Sequence, residues 1–131
     1  MNLFNADLTP EQIDHVNTWV KTLRSGSYKQ GKKVLRTRID AFCCLGVACD
    51  LVDPSGWNAI TRNSQIYVWE WFNGNTTSLS HKAMDHYGIR TSSGWIALDG
   101  ETVSLAILND SGKSFGEIAD LIESELALVT K

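Results

Sequence analysis

The sequence predicts a single α+β domain with about four to five short helices and a small antiparallel sheet or hairpin. Three observations predict this class. Capping residues followed by apolar residues at helical spacing stand near both ends of the chain. The run Ala41 to Cys49 is apolar throughout and indicates the centre of the core. Asp99-Gly100 separates two short β-prone segments, as in a two-residue hairpin.

Length and composition favour one self-sufficient domain, residues 1–131. A chain of this size buries roughly 65 to 70 per cent of its unfolded surface, so its core needs no disulfide or metal. Hydrophobic residues make up 43% of the chain and charged residues 21%, close to the globular average. Two prolines and ten glycines give no sign of a long linker or disorder.

The first helix has a complete start signal. Thr9 is the predicted N-cap, Pro10 takes the first helical position, and Gln12 stands three residues after the cap. Gly26 is the expected left-handed terminator. We therefore predict an amphipathic helix over about residues 10–24.

The central part of the chain is predicted to contain a loop and then a buried helix. Residues 27–37 are rich in basic residues and poor in apolar ones, which indicates a loop or an irregular edge segment. Residues 41–52 are apolar nearly all round, too long for a typical strand, and indicate a buried helix. Gly46 in its middle costs roughly 1 kcal/mol relative to alanine. We therefore expect a close backbone neighbour at this glycine.

The remaining elements are short. Aromatic and β-branched residues over 67–72, before Asn73-Gly74, predict a strand that enters a turn. Segments 95–98 and 101–103 flank Asp99-Gly100 and predict a type I′ hairpin. Capping serines precede the last three predicted helices: Ser80 before 81–87, Ser104 before a short helix from Leu105, and Ser114, in a capping box with Glu117, before the final helix.

Charge is distributed unevenly along the chain. The net charge is −3, which gives no reason to propose a nucleic acid or an anionic membrane as partner. Seven of the twelve basic residues lie between Lys21 and Arg38 with no acid among them. Seven acids and a single lysine lie between Asp99 and Glu125. We expect an electrically polarised molecule.

The cysteines and the N-terminus indicate a compartment. Three cysteines, two of them adjacent and all in one apolar run, fit a reducing environment better than a disulfide framework. The N-terminus lacks the basic start and apolar segment of a signal peptide, and the apolar run is about half as long as a membrane span. We expect a soluble, intracellular protein without a membrane partner.

Three chemistries compete with simpler structural explanations. Cys44, near a helix start, is a candidate nucleophile with His81 or His86 as base, although cysteine is more often a buried structural residue. The cysteine spacing fits zinc poorly, so we predict no metal and no cofactor. Residues 111–114, Ser-Gly-Lys-Ser, resemble part of a phosphate-binding loop, but a helix terminator and a capping box explain them.

A combination of positive charge and flat rings is the strongest candidate for a site. Cationic side chains pair with phosphates, and aromatic rings stack on bases. Trp69 and Trp71, two apart on a strand, would face the same side. The predicted ligand-binding residues are Tyr28, Lys29, Lys32, Lys33, Arg36, Trp69 and Trp71. They bind one ligand only if they share a concave surface, and none is predicted to be catalytic.

Three blocks of the sequence carry a resemblance. Residues 42–51, Phe-Cys-Cys-Leu-Gly-Val-Ala-Cys-Asp-Leu, resemble a signature of small, mostly uncharacterised proteins of tailed bacteriophages. Residues 19–30 and 105–123 are similar to the upstream helix and the C-terminal block of the same family. The blocks cover roughly half of the chain. The resemblance implies the host cytoplasm during infection and transfers no catalytic residue.

These observations lead to one function and two alternatives. We expect a phage-encoded small binding protein that acts in the host cytoplasm and sequesters a nucleotide-like immune signal to counter host defence. The first alternative is an inhibitor that docks on a host protein, and the second is a cysteine-dependent hydrolase or transferase. Assembly into a symmetric homo-oligomer is a further expectation.

Overall fold

The computed structural model describes residues 2–72 and 74–130 and confirms the predicted α+β class. Its helices are α1 (Pro10–Ser25), α2 (Cys44–Val52), α3 (His81–Tyr87), α4 (Leu105–Asp110) and α5 (Phe115–Val129), with a 3-10 turn at Pro54–Gly56. Its strands are β1 (Lys29–Gln30), β2 (Ala41–Phe42), β3 (Trp57–Arg62), β4 (Gln65–Trp71), β5 (Trp95–Leu98) and β6 (Glu101–Ser104). They form three two-stranded sheets, β1-β2, β3-β4 and β5-β6, of which the first is parallel and the others are antiparallel.

The capping residues mark the helix boundaries as predicted. The Thr9 hydroxyl accepts from the N–H of Gln12, whose side chain accepts from the N–H of Thr9, so the capping box of α1 is complete. Gly26 ends α1 in the left-handed region, with φ 77°. Ser114 and Glu117 form the same reciprocal pair at the start of α5.

The central helix is shorter than predicted. It begins at Cys44 rather than at residue 41, because Ala41 and Phe42 pair with Lys29 and Gln30 as strand β2. The Cys43 sulfur accepts from a backbone N–H of the first turn and caps the helix. Apolar composition did not reveal this boundary, since a buried strand and a buried helix look alike over a few residues.

The predicted close neighbour of Gly46 is confirmed. A Cβ atom built on Gly46 would lie 1.8 Å from the carbonyl oxygen of Leu35. The Leu35 carbonyl also accepts from the N–H of Cys43, at 3.2 Å. Segment 34–38 therefore lies directly on α2, and only a residue without a side chain allows that approach.

The hairpin of β3 and β4, which we call the hairpin arm, is only partly predicted. The sequence indicates β4, but β3 is missed. The turn between them is Asn63-Ser64, with φ 51° and 64°, the positive angles that a two-residue hairpin requires. The two strands contact mainly each other, and Trp57 and Trp71 anchor the base of the arm in the core. Its far end is exposed.

The second hairpin is confirmed over its whole length. β5 and β6 pair in register from Trp95–Ser104 to Leu98–Glu101, and Asp99 and Gly100 have φ angles of 52° and 81°. The predicted turn after β4 is only partly covered by the structure. Gly74 has φ 85°, whereas Asn73 lies outside the described residues.

One buried amide joins distant parts of the chain. Asn109 is fully buried, and its Oδ1 accepts from the N–H of Cys44 at 3.1 Å and from Gln30 Nε2 at 3.0 Å. Its Nδ2 donates to the carbonyl of Gly31 at 2.8 Å, and Gln30 Oε1 accepts from the N–H of Phe115. Segments 19–30, 42–51 and 105–123 each contribute at least one of these side-chain or backbone groups. These contacts give the residues concerned a role in the fold.

The expected charge separation is partly neutralised by folding. α1 packs against α5, and Arg24 donates to Asp120 at 2.6 Å and to Glu123 at 3.1 Å. These pairs are exposed and contribute little to stability. None of the helices within residues 2–72 and 74–130 combines the length and the apolar character that a membrane crossing demands.

Candidate functional site

The three thiols are part of the core. Cys44 and Cys49 are completely buried, and Cys43 is nearly so. Burial raises the pKa of the Cys43 thiol to about 11 and the pKa of the Cys44 thiol well above its usual range. The Cys44 sulfur donates to the carbonyl of Leu105 rather than to an imidazole. This geometry gives no support to a thiol nucleophile, which must be accessible and readily ionised.

The predicted histidine bases lie elsewhere. His86 stacks on His15, with ring centroids 3.6 Å apart, and His15 Nδ1 lies 2.8 Å from the carbonyl oxygen of His86. His81 is exposed at the start of α3. Within residues 2–72 and 74–130, no cluster of three or more histidine, cysteine, aspartate or glutamate side chains is arranged to hold a metal ion.

The Ser-Gly-Lys-Ser segment has its backbone donors already engaged. The N–H of Ser114 donates to Glu117, and the N–H of Phe115 donates to Gln30 Oε1. The carbonyl of Lys113 accepts from Gln30 Nε2 at 2.8 Å. Because side chains of the protein itself occupy these groups, the segment offers no anion site, and the capping explanation is the one that the structure supports.

Part of the predicted cationic and aromatic combination does assemble. The Arg36 guanidinium carbon lies 3.9 Å from the centroid of the Trp69 ring and within 5.6 Å of the rings of Phe42 and Trp57. Its Nη2 donates to Asp40 at 2.7 Å. Arg36 and Trp69 therefore satisfy each other, and a ligand would have to compete for that ring face.

Tyr28 joins the same cluster through a carboxylate. Its ring meets Phe42 edge-on, and its hydroxyl donates to Asp50. Burial and the carboxylate raise the pKa of Tyr28 above its ordinary range. Trp57 Nε1 donates to the other oxygen of Asp50 at 2.9 Å. Asp50 thus fixes two rings, whereas the indole N–H of Trp69 has no partner among the described residues.

Trp71, one of the predicted ligand-binding residues, lies in the core of the protein. The side chain does lie on the same face of the arm as Trp69, but it is completely buried, and its Nε1 donates to the carbonyl of Asp53 at 3.0 Å. The alternation of side chains along a strand predicts which face of the hairpin a residue lies on. It does not predict whether another part of the protein covers that face. Trp71 lies at the base of the arm, where the body of the protein covers that face.

The basic stretch divides between two places. Lys33 has φ 73°, and its backbone N–H donates to Asp110 near the end of α4. Lys29 and Lys32 are exposed in the same part of the chain, beside β1. Arg36 and Arg38 follow and run beside β4 instead, where Thr37 pairs with Val68. The basic stretch therefore contacts the end of α4 at Lys33 and the ring of Trp69 at Arg36.

Two concavities along the hairpin arm share lining residues; we call the pair the hairpin cleft and each concavity a lobe. Its first lobe has a volume of about 340 Å³, and its second lobe has a volume of about 410 Å³. Arg38 and Tyr67 line both lobes. The other lining residues are Arg62, Asn63, Gln65 and Ile66 in the first lobe and Val34, Thr37, Val68 and Thr76 in the second.

The first lobe is suited to an anion. Arg38 and Arg62 line it, and among residues 2–72 and 74–130 neither guanidinium group has a carboxylate within salt-bridge distance. Arg62 lies over one face of the Tyr67 ring, 3.9 Å from its centroid, while that residue stays 52% exposed. Two arginines at a flat ring are the groups that bind phosphate and stack on a base.

Sequence reasoning missed this cleft although two signals were present. Arg38 belongs to the basic stretch, but no ring partner was assigned to it. Asn63-Ser64, between a β-prone segment and an aromatic one, was a hairpin signal of moderate strength. Recognising that turn would have paired β3 with β4 and brought Arg62 next to Tyr67.

Taken together, these features define a small α+β domain with an exposed cationic and aromatic cleft on a projecting hairpin. The chain belongs to the family described as a domain of unknown function, DUF8296, whose model matches residues 12–126. The match includes every residue that lines the hairpin cleft. No curated protein and no solved structure matches the chain.

Proposed function

We propose that the protein is a phage-encoded binding protein that acts in the host cytoplasm and sequesters a small anionic, nucleotide-like molecule, such as an immune signal of the host, in the hairpin cleft. The observation that supports this function is the placement of Arg38, Arg62 and Tyr67 in one cleft. The buried thiols favour holding a molecule over transforming it.

The chemistry of the cleft fits this ligand class. A guanidinium group donates in a planar fork that matches two phosphate oxygens, and such charge-assisted hydrogen bonds are about twice as strong as neutral ones. The arginines project from segment 34–38 and from the end of β3, so a phosphate between them would connect two parts of the chain. Binding would therefore hold the arm against that segment.

Nucleotide binding is tested by thermal unfolding with a panel of linear and cyclic nucleotides. A ligand at a hundredfold excess over its dissociation constant stabilises the folded state by about 2.7 kcal/mol. We expect the double variant R38A/R62A to lose that shift. The double variant K21A/R90A removes the same charge at exposed positions outside the hairpin cleft and should keep it.

Two results would contradict the proposal. The first is the absence of a shift with every nucleotide in the panel. The second is an equal loss in both double variants, which would mean that overall charge, rather than the hairpin cleft, attracts the anion. Native mass spectrometry of the same samples reports the number of subunits and any small molecule that stays bound.

A second candidate function, docking on a host protein, is favoured by the exposed apolar side chains of the same region. Ile66 is 37% exposed on the arm, and Ile39, next to Arg38, is 61% exposed. Pull-down from a bacterial lysate tests this function. A partner that is recovered by the natural protein and lost with I39D/I66D would favour docking, particularly if no nucleotide shifts the unfolding temperature.

A further inference from the structure

The two lobes of the hairpin cleft differ in chemistry. The first is lined by two arginines and two amide side chains, together with Ile66 and Tyr67. The second is lined by two valines, two threonines, Arg38 and Tyr67, and it holds no second guanidinium. A ligand that fills both lobes therefore needs an anionic end and a less polar end.

Tyr67 and Arg38 connect these two environments because, of the residues that the structure describes, these two line both lobes. Arg62 lines the first lobe only, and its guanidinium carbon covers one face of the Tyr67 ring at 3.9 Å. The residue as a whole is nevertheless 52% exposed, which leaves its side chain accessible to a second flat group. Stacking on an exposed ring does not depend on which base is present.

The second lobe also has hydroxyl groups for the edge of a flat group. The Thr37 Oγ1 accepts from the N–H of Ala41 at 3.1 Å, which leaves its hydroxyl proton to donate. Thr76 lines the same lobe, and its carbonyl is occupied by the N–H of Leu35 at 2.7 Å. Val34 and Val68 supply apolar contact on either side. Each lobe is within the range of about 300 to 1,000 Å³ typical of small-molecule sites.

We infer that the hairpin cleft takes a mononucleotide-sized unit, with its phosphate in the first lobe between Arg38 and Arg62 and its ring in the second lobe against Tyr67, Val34 and Val68. This inference rests on the proposed function and makes it more specific. It requires the ring to contribute to binding, whereas the proposed function alone requires only an anion with nucleotide character.

The inference is tested by calorimetric titration of the full chain with three probe sets. These are inorganic phosphate, the four common nucleosides and the four corresponding nucleoside 5′-monophosphates. We expect at least one monophosphate to bind about 10-fold to 100-fold tighter than inorganic phosphate, because stacking on one ring contributes a factor of that size. It should also bind tighter than its own nucleoside, which lacks the phosphate for the two arginines.

Blocking the second lobe separates the contribution of the ring from that of the phosphate. Val34→Trp places a bulky ring in the wall of that lobe, and we expect it to reduce monophosphate affinity to that of inorganic phosphate while phosphate binding itself is unchanged. Val34→Phe is a smaller block in case the first variant does not fold. Thr102→Trp adds the same ring to an exposed position on β6 and should leave all affinities unchanged.

The outcomes distinguish the two claims. If monophosphates and inorganic phosphate bind equally, or if both Val34 variants bind monophosphates as well as the natural protein does, the inference is wrong while anion binding in the first lobe stands. If none of the probes binds and the nucleotide panel gives no thermal shift, the proposed function fails with it.

Discussion

Replacement of Gly46 by alanine tests how segment 34–38 is held against α2. The added Cβ would lie 1.8 Å from the oxygen and 2.6 Å from the carbon of the Leu35 carbonyl. Ordinary van der Waals contact begins at 3.4 Å, so the oxygen would have to move by about 1.6 Å. That oxygen accepts from the N–H of Cys43, and the N–H of Leu35 donates to Thr76. The displacement therefore strains two backbone hydrogen bonds.

The magnitude of this effect follows from three opposing contributions. Overpacking of a dense core costs about 1 to 3 kcal/mol, and a weakened buried hydrogen bond costs about 1 kcal/mol more. Alanine gains up to about 1 kcal/mol over glycine in a helix. We expect a net loss of about 1 to 3 kcal/mol in the free energy of unfolding, and about 4 °C in Tm for each kcal/mol.

Urea denaturation followed by tryptophan fluorescence measures this loss. Gly116 in α5 provides the matched control, since a Cβ there has no neighbour closer than 3.8 Å. We expect Gly116→Ala to be between 0 and about 1 kcal/mol more stable than the natural protein. If Gly46→Ala were as stable as the natural protein, the contact between Leu35 and α2 would not be as close as described, and the reasoning would be refuted.

Three further predictions concern titration, thiol chemistry and the buried amide. Burial, together with the charge of His15, lowers the pKa of His86 below its ordinary value of 6.5. As the pH falls, the unfolded chain therefore binds a proton at His86 at a higher pH than the folded chain does. The contribution of His86 to the free energy of unfolding should be fully present above about pH 6.5 and decrease as the pH falls. The urea midpoints at about pH 7.5 and about pH 5.5 should therefore differ less in His86→Gln than in the natural protein. Iodoacetamide at neutral pH should leave all three cysteines of the folded protein unmodified and label three per chain in urea, because burial keeps them protonated; rapid labelling of one thiol in the folded protein would contradict this. Asn109→Ala leaves the Cys44 N–H without its partner and should cost about 2 to 4 kcal/mol in urea denaturation, whereas Asn17→Ala on the exposed face of α1 should change stability by less than about 0.5 kcal/mol.

Local signals in the sequence were sufficient for several elements. The capping box at Thr9, the serine caps and the Asp99-Gly100 turn act within a few residues, so the boundaries of α1, α3 and the second hairpin and the start of α5 could be predicted. The start of α2 could not, because the pairing of β2 with β1 involves residues twelve positions apart. Strand β3 was missed because polar residues on its exposed positions weaken the strand pattern.

The candidate site was harder to predict than the fold because residue type does not reveal which partner a side chain finds. Arg36 and Trp69 were both selected and do meet, but they contact each other, so a ligand would have to compete for that ring face. Trp71 was selected for its ring and is buried at the base of the arm. Arg62 and Tyr67 were not selected, because only the pairing of β3 with β4 places them together.

The turn of the hairpin arm at Asn63-Ser64 lies far from the residues that anchor the arm in the core, which has a consequence for sequence variation. Substitutions around Asn63 and Ser64 change what the tip presents without disturbing the packing that Trp57 and Trp71 maintain below. The residues of the tip and the residues that maintain the fold are therefore different. The tip can accept substitutions or a longer turn while the packing of the core stays unchanged.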